Sequence, residues 1–229
     1  MNIHTITSKA GKAHVIVHDE TERFQSIWAK GEFFEYQVLE HIRDCYSNSG
    51  GTFIDAGSQL GNHALFFAKF CNIDRVIAIE PVEFMCRWQR QIYALNDVAD
   101  RIHVHNCALS NKGGRGKMER FGPNLGQFHL MPGNEVRVET LDSIVDREHA
   151  DDVNIVKLDV EQHELRVLQG AARLLSEQKP ALFIEIWDRE KYPDDYSTVT
   201  QFLAGFGYEQ VGSMFEIGKV YEFAVREQA

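Results

Sequence analysis

Apolar positions from residue 50 onward follow two patterns that succeed each other several times. Residues 52–56, 76–79 and 181–186 are nearly continuous apolar runs, which is typical of strands that helices cover on both faces. Between such runs, apolar residues recur at the spacing of an amphipathic helix. This alternation predicts right-handed crossovers and a doubly wound, mostly parallel α/β sheet with helices on both faces.

The individual elements can be placed along the whole chain. We expect a short β-hairpin within residues 1–20, a helix over 31–45, strands at 52–56, 75–79, 102–106, 153–158 and 181–186, helices near 61–71, 83–96, 163–176 and 196–206, a loop or hairpin over 111–134, and a closing antiparallel pair at 208–211 and 220–225. No repeat or long linker interrupts this order. We therefore expect one domain over 1–229, with an N-terminal hairpin and helix (1–49) and a Rossmann-like core (50–229).

Composition narrows the class of ligand. The net charge of −10 argues against DNA or RNA as a partner, since phosphate backbones are bound mainly by Lys and Arg. No run approaches the ~18 apolar residues of a membrane span, and the N-terminus lacks the pattern of a signal peptide. The four cysteines form no CxxC pair. We expect a cytoplasmic protein with reduced thiols that binds neither membrane nor nucleic acid, and the sequence does not indicate its oligomeric state.

In a doubly wound sheet, ligands bind at the carboxyl ends of the strands. The strand at 52–56 ends in the sequence DAGSQLGN, in which Gly57 permits a sharp turn and Gly61 opens the next helix. The strand at 75–79 is followed by Glu80 and Pro81. An acidic residue about 20 positions after such a glycine turn can accept both ribose hydroxyls of a nucleoside.

The later strands carry further polar groups to the same edge. Small residues follow Asn106, among them Ala108, and could let an adenine ring lie against the backbone. The strand at 153–158 leads into Asp159, Glu161, His163 and Glu164, and the strand at 181–186 contributes Glu185. This cluster predicts chemistry at the mouth of a nucleoside site, although Asp159 or Glu161 could also serve as a helix cap.

These motifs together resemble the FkbM-type methyltransferases. The resemblance covers about residues 31–190 and rests on TFIDAGSQLGN (52–62), AIEP (78–81), NCALS (106–110), ETLD (139–142), VKLDVEQHE (156–164), QGA (169–171) and FIE (183–185). Two departures are visible. The family commonly reads DVGAN where this chain has DAGSQ, and it commonly has glycine where this chain has Gln162.

The resemblance implies a class I methyltransferase fold, with a mostly parallel seven-stranded sheet and an antiparallel C-terminal strand. It implies S-adenosylmethionine as cofactor and a hydroxyl oxygen of a small molecule, such as a sugar or natural product, as methyl acceptor. The residues expected to bind the cofactor are Glu35, Asp55, Gly57, Gly61, Asn62, Glu80, Pro81, Asn106, Ala108 and Asp159.

Within that set we expect Glu80 to hold the ribose, the turn from Gly57 to Gly61 to receive the methionine portion, and Glu35 to reach its amino group. His163 is the first candidate for the base that takes the hydroxyl proton, because imidazole titrates near neutral pH. Asp159 is the second candidate, and Glu185 could orient either of them.

No metal is expected. Asp159, Glu161 and Glu185 could form an oxygen-rich site for Mg²⁺ or Ca²⁺, but this is the less favoured interpretation. His103 and His105 share one face of a strand, yet no cysteine or third histidine lies near them at a metal-ligand spacing.

Two other functions stay open. One is a nicotinamide-dependent oxidoreductase on a similar fold, although the DxGxxxG spacing differs from the GxGxxG fingerprint. The other is a non-catalytic cofactor-binding partner protein. The residues that would choose the acceptor are expected in loops at 111–134 and 187–197, where the candidates are Phe121, Asn124, Phe128, His129, Trp187 and Tyr192.

Overall fold

The computed structural model describes residues 2–46, 50–187, 193–214 and 220–225. The strands are β1 (Asn2–Ser8), β2 (Gly11–Val17), β3 (Thr52–Ala56), β4 (Arg75–Ile79), β5 (Ile102–His105), β6 (Ala108–Leu109), β7 (Gly114–Arg120), β8 (Phe128–Pro132), β9 (Val136–Glu139), β10 (Val153–Leu158), β11 (Ala181–Glu185), β12 (Tyr208–Met214) and β13 (Val220–Val225). The helices are α1 (Arg23–Ala29), α2 (Tyr36–Tyr46), α3 (Asn62–Phe70), α4 (Glu83–Leu95), α5 (Leu141–Glu148), α6 (Glu164–Gln169), α7 (Ala172–Glu177) and α8 (Pro193–Ala204). None of these helices has the length and apolar character needed to cross a membrane.

The central sheet has seven strands in the order β12-β13-β11-β10-β3-β4-β5. Strands β5, β4, β3, β10 and β11 are parallel, β13 is antiparallel to β11, and β12 is antiparallel to β13. This confirms the expected Rossmann-like sheet and its antiparallel strand. The chain reverses its direction of progress between β3 and β10, and the crevice at such a switch point is where α/β sheets bind ligands.

Both faces of the sheet are covered, as the continuous apolar runs predict. Phe53 and Phe183 belong to one buried cluster, whereas their sequence neighbours Ile54 and Ile184 belong to a second cluster. Successive side chains of a strand point to opposite faces. Each face of the sheet therefore has its own core, and β3 and β11 contribute apolar side chains to both.

The N-terminal region differs in part from the prediction. The hairpin of β1 and β2 forms as expected, but the helix expected over 31–45 begins only at Tyr36, because Glu35 adopts a left-handed conformation with φ of 53°. The additional helix α1 was not predicted. Its N-terminus is capped by the carboxylate of Glu22, which accepts hydrogen bonds from the amides of Phe24 and Gln25.

The segment over 111–134, expected as a loop or hairpin, forms the antiparallel hairpin of β7 and β8. This hairpin joins β9 and β6 in a separate four-stranded sheet that was not predicted. Helix α5 follows directly and was also not predicted. Its cap is Thr140, whose hydroxyl accepts a hydrogen bond from the amide of Ser143.

The helix expected over 163–176 is divided into α6 and α7 at Gly170. A Cβ atom at Gly170 would lie 2.3 Å from the carbonyl oxygen of Ser110, so the backbone there packs too closely for a side chain. Helix α7 then begins afresh, because the carboxylate of Asp142 accepts hydrogen bonds from the amides of Arg173 and Leu174.

The turn after β3 yields a stability prediction. Gly57 has φ of +84°, and a Cβ atom there would lie 1.7 Å from the carbonyl oxygen of Asp159. Gly207 has nearly the same φ, +83°, but nothing lies within 4 Å of its Cβ position. Chemical denaturation should show that Gly207→Ala lowers the free energy of unfolding by ~1–2 kcal/mol, the cost of a left-handed backbone at alanine. Gly57→Ala should lower the free energy of unfolding by about 3 kcal/mol or more, because a backbone clash adds to that strain. Equal losses would contradict the proposed packing of the two strand ends.

Candidate functional site

A cavity of about 270 Å³ lies at the carboxyl ends of β3, β4, β10 and β11. Helix α1, the segment before α2 and the β7–β8 hairpin form its other walls. Most of the predicted site residues line it: Glu35, Gly57, Asn62, Glu80, Pro81, Ala108, Asp159, His163 and Glu185. Residues from six separate parts of the chain are thus brought to one place by the sheet topology.

The structure does not bring three predicted residues, Asp55, Gly61 and Asn106, to the cavity surface. Asp55 is buried under the start of α3 and accepts a hydrogen bond from the amide of Ala64 at 3.0 Å. Gly61 leaves room for Tyr93, whose hydroxyl would lie 2.1 Å from a Cβ atom there. The side-chain amide of Asn106 donates to the carbonyl oxygens of Glu80 and Pro81. These three residues contact the segments that form the cavity wall without lining the cavity themselves.

At one end of the cavity, the carboxylate of Glu80 is held by two backbone amides. Its Oε2 accepts from the amide of Gln59 at 3.0 Å, and its Oε1 accepts from the amide of Val82 at 2.8 Å. Burial raises the pKa of Glu80 to about 8, although both amides act in the opposite direction. A carboxylate has about four lone-pair positions, so Glu80 keeps capacity to accept two more hydrogen bonds.

The segment before α2 brings Glu35 into the cavity. Asn62 fixes this segment, because its side chain accepts from the indole of Trp28 and the amide of Phe34 and donates to the carbonyl of Phe34. Glu35 is only 3% exposed, and its Oε2 lies 3.3 Å from Nε2 of His63. Neither atom has a well-formed hydrogen bond within the described residues.

A lysine lies among the acids at the floor of the cavity. Lys157, which is 3% exposed, places its Nζ 2.8 Å from Oδ2 of Asp159. Burial opposes its charge, but Asp159, Glu35 and other carboxyl groups outweigh burial and raise its pKa. Burial also opposes the charge of Asp159, yet the attraction of Lys157 lowers the pKa of that carboxyl. The ionised Asp159, together with burial, raises the pKa of Glu185 to about 10, so this pair shares one proton at neutral pH.

His163 stands where the turn after β10 meets α6. Its Nε2 lies 3.0 Å from Oγ of Ser110, which fixes the ring. Burial lowers the pKa of His163, so the imidazole is neutral at neutral pH. The carboxylate of Glu164 holds the turn itself, because its Oε1 accepts from the amides of Val160 and Gln162.

The domain model of the FkbM methyltransferases ("Methyltransferase FkbM domain") matches residues 55–209, more than half of the chain. The chain belongs to the FkbM methyltransferase family. This confirms the resemblance drawn from the motifs. A comparison with curated proteins finds no match.

Solved structures with the same fold include an FkbM methyltransferase from Methylobacillus flagellatus KT, at 21% identity and a TM-score of 0.55 over 76% of this chain. This chain spans only 43% of that protein's length. A ribosomal protein L11 methylase from Lactobacillus delbrueckii subsp. bulgaricus matches at 13% identity and a TM-score of 0.53, over 84% of this chain and 79% of its own. TYW2 of P. horikoshii, in complex with MeSAdo, matches at 12% identity and a TM-score of 0.52, over 97% of this chain and 70% of TYW2. At such identities the similarity shows the fold alone.

The two departures from the common FkbM motifs have one structural feature in common. Gln59 and Gln162 both adopt left-handed backbone conformations, with φ of 49° and 69°. Asn and Gly, which the family commonly has at these positions, enter this region most easily. Gln59 and Gln162 adopt this conformation at a cost of about 1–2 kcal/mol each.

Of the six side chains expected to choose the acceptor, Asn124, Phe128 and Trp187 line the cavity. His129 and Phe121 do not; they stack on each other with ring centroids 3.7 Å apart. Tyr192 lies outside the described residues.

Several cavity residues of this FkbM protein escaped the sequence analysis. They are Arg23, Phe24, Phe34, His63, Met118, Gln127, Leu130 and Lys157. A signal existed for one of them, since Met118 is an apolar residue between the charged residues Lys117 and Glu119. Arg23 and Phe24 gave none, because they belong to a short helix outside the matched domain.

The arrangement of His, Cys, Asp and Glu side chains bears on metal binding. Among the side chains in the described ranges, no group of three His, Cys, Asp or Glu residues is arranged to hold a metal ion. The two histidines on β5 instead bind a carboxylate: His105 lies 2.8 Å from Glu148, and His103 lies 2.5 Å from it.

Proposed function

We propose that this FkbM family member transfers a methyl group from S-adenosylmethionine to a hydroxyl oxygen of a small molecule, such as a sugar or natural product. The observation that carries the proposal is a cavity with a buried carboxylate at each of two sites, Glu80 and Glu35, each with hydrogen-bonding capacity left. Bound S-adenosylmethionine would supply an activated methyl group on a positively charged sulfur.

The residues present fit this cofactor. Glu80 would accept the ribose hydroxyls, Pro81 and Ala108 would border the adenine, and the turn at Gly57 would receive the methionine portion. Glu35 Oε2 is buried without a well-formed partner, so it can accept a hydrogen bond from the amino group of methionine. The acid-rich floor around Asp159 favours a cationic ligand, because opposite charges attract strongly where water is excluded. Similar folds support the assignment, since TYW2 of M. jannaschii is described in complex with AdoMet.

Other residues that line the cavity suit a neutral organic acceptor. Phe24, Phe34, Phe128 and Trp187 supply aromatic surface, and Asn124 and Gln127 supply amide groups. Aromatic faces combined with a few polar groups are typical of small-molecule pockets. His163 lines the same cavity with its ring fixed by Ser110, which suits it to orient the acceptor hydroxyl. Orientation of this kind can contribute about 7–11 kcal/mol to catalysis.

The cofactor assignment predicts the effect of one substitution. Above pH 8, where the carboxyl group of Glu80 is ionised, Glu80→Gln should weaken the binding of S-adenosylmethionine about 10- to 100-fold, because a hydrogen bond to a charged acceptor contributes ~1.5–3 kcal/mol. Isothermal titration calorimetry measures this directly. The control is Glu83→Gln, an exposed glutamate in the first turn of α4, which should bind as the wild type does. Unchanged affinity in Glu80→Gln would contradict the role of Glu80, and preferential binding of NAD would favour the oxidoreductase alternative.

The acceptor class predicts the outcome of a substrate panel. Release of S-adenosylhomocysteine should be stimulated by neutral polyhydroxylated or aromatic hydroxyl compounds. RNA should give no stimulation, because the chain carries a net charge of −10. Stimulation by RNA alone would contradict the proposed acceptor class, and tight binding without any turnover would favour the non-catalytic alternative.

A further inference from the structure

The candidate bases around the cavity differ in the ion pairs and hydrogen bonds that they already make. Asp159 is paired with Lys157 at 2.8 Å, which lowers the pKa of its carboxyl and makes it a weak base. Glu185 carries the proton of its pair with Asp159, since its pKa is raised to about 10. His163 has its Nε2 committed to Ser110. Asp159 and Glu185 are therefore occupied, and one of the two ring nitrogens of His163 is engaged.

Glu161 is not occupied in this way. Its side chain lines the cavity, and its Oε2 is buried with no hydrogen-bond partner among the described residues. A buried acceptor atom without a donor is costly, by ~1–3 kcal/mol, and such atoms are rare in native proteins. A ligand hydroxyl that donates to this oxygen would remove the cost.

The backbone at Glu161 is also unusual. Glu161 and Gln162 are consecutive residues in the left-handed region, with φ of 54° and 69°. Such strain is often found at functional sites, where the surrounding structure must hold it in place. Here Glu164 does so, because one oxygen of its buried carboxylate accepts from the amides of Val160 and Gln162 on both sides of Glu161.

From these contacts we propose that Glu161 is the residue that takes the proton from the acceptor hydroxyl, with Glu164 as its positioning residue. This inference rests on the proposed methyl transfer to oxygen. The proton passes from the acceptor oxygen to Oε2 of Glu161. The freed electron pair of that oxygen forms the new bond to the methyl carbon, and the carbon–sulfur bond breaks with its electrons remaining on sulfur.

The electrostatic surroundings agree with this role. Burial, then the charges of Asp159 and Glu164, raise the pKa of Glu161 to about 8, while Lys157 acts in the opposite direction. A carboxylate with such a pKa is a much stronger base than an ordinary one, and general bases work best when their pKa lies near the working pH. A positively charged ligand in the cavity would favour the carboxylate form further.

The first measurement does not depend on catalysis. In ligand-free protein with ¹³C-labelled glutamate carboxyls, NMR should show a resonance that titrates near pH 8 and that Glu161→Gln removes. Burial raises the pKa of Glu80 to about 8 as well, so the assignment comes from the difference between variants. Glu177→Gln, an exposed glutamate at the end of α7, is the control that should retain the resonance. If Glu161→Gln removes only a resonance that titrates near the ordinary pKa of glutamate, the inference is wrong.

The second measurement compares binding with turnover. Glu161→Gln should bind S-adenosylmethionine within about threefold of the wild type, yet lose about 10²–10⁴-fold in turnover with an acceptor from the panel. Its residual rate should no longer rise with pH. His163→Ala should lose rate while keeping that rise, since it removes an orienting group and leaves the base.

The outcomes separate this inference from the function on which it rests. If the wild type neither binds S-adenosylmethionine nor methylates any acceptor, the proposed function fails, and the inference about Glu161 fails with it. If the wild type methylates an acceptor and Glu161→Gln keeps turnover within threefold, only the inference fails. Loss of the pH-dependent rise in His163→Ala, but not in Glu161→Gln, would assign the proton to His163.

Discussion

The attraction between buried Lys157 and the carboxyl groups around it is the interaction on which the rest of the site depends. Lys157 interacts with Asp159, Glu35, Glu185 and Asp55, which come from four different parts of the chain. Without a buried positive charge, these groups would repel one another and draw water into the core. Removal of one partner of a buried pair typically costs about 3–5 kcal/mol. The lysine therefore allows an acid-rich pocket to exist inside a folded protein.

This arrangement also supports the proposal that the cavity binds a cationic ligand. One positive charge is too few for the surrounding acids, so some of these acids keep their protons. The charge of Asp159, together with burial, raises the pKa of Glu185, and burial raises the pKa of Glu80 and Glu161. A positively charged ligand can offset the negative charge that those protons neutralise in the free protein. The cavity would thus suit the sulfonium and ammonium groups of the proposed cofactor, and its free carboxylate oxygens would provide the directional contacts.

The sequence predicted those parts of the site that follow from the parallel sheet. Gly57, Glu80, Asp159 and Glu185 each lie at the end of a predicted strand or directly after it. Since the carboxyl ends of parallel strands meet at one edge, their proximity could be inferred without coordinates.

Other parts of the site depend on tertiary contacts that no local pattern reveals. Helix α1 has only seven residues, and its cap is a glutamate rather than one of the preferred capping residues. Strand β7 is rich in Gly and charged residues and lacks a clear apolar face, so the sequence predicted only a loop or hairpin there and not the four-stranded sheet. Glu161 was recognised only as one acid in a cluster, because its unsatisfied oxygen and left-handed backbone are properties of the folded chain.

We propose that Glu80 binds the ribose of S-adenosylmethionine and that Glu35 binds its amino group, with the cofactor lying over the carboxyl ends of the strands. The most direct test is a crystal structure of the protein with S-adenosylhomocysteine bound. We expect both ribose hydroxyls within hydrogen-bonding distance of the Glu80 carboxylate and the amino group at Oε2 of Glu35. A nucleoside bound elsewhere, or a Glu80 side chain turned away from the ribose, would contradict the account.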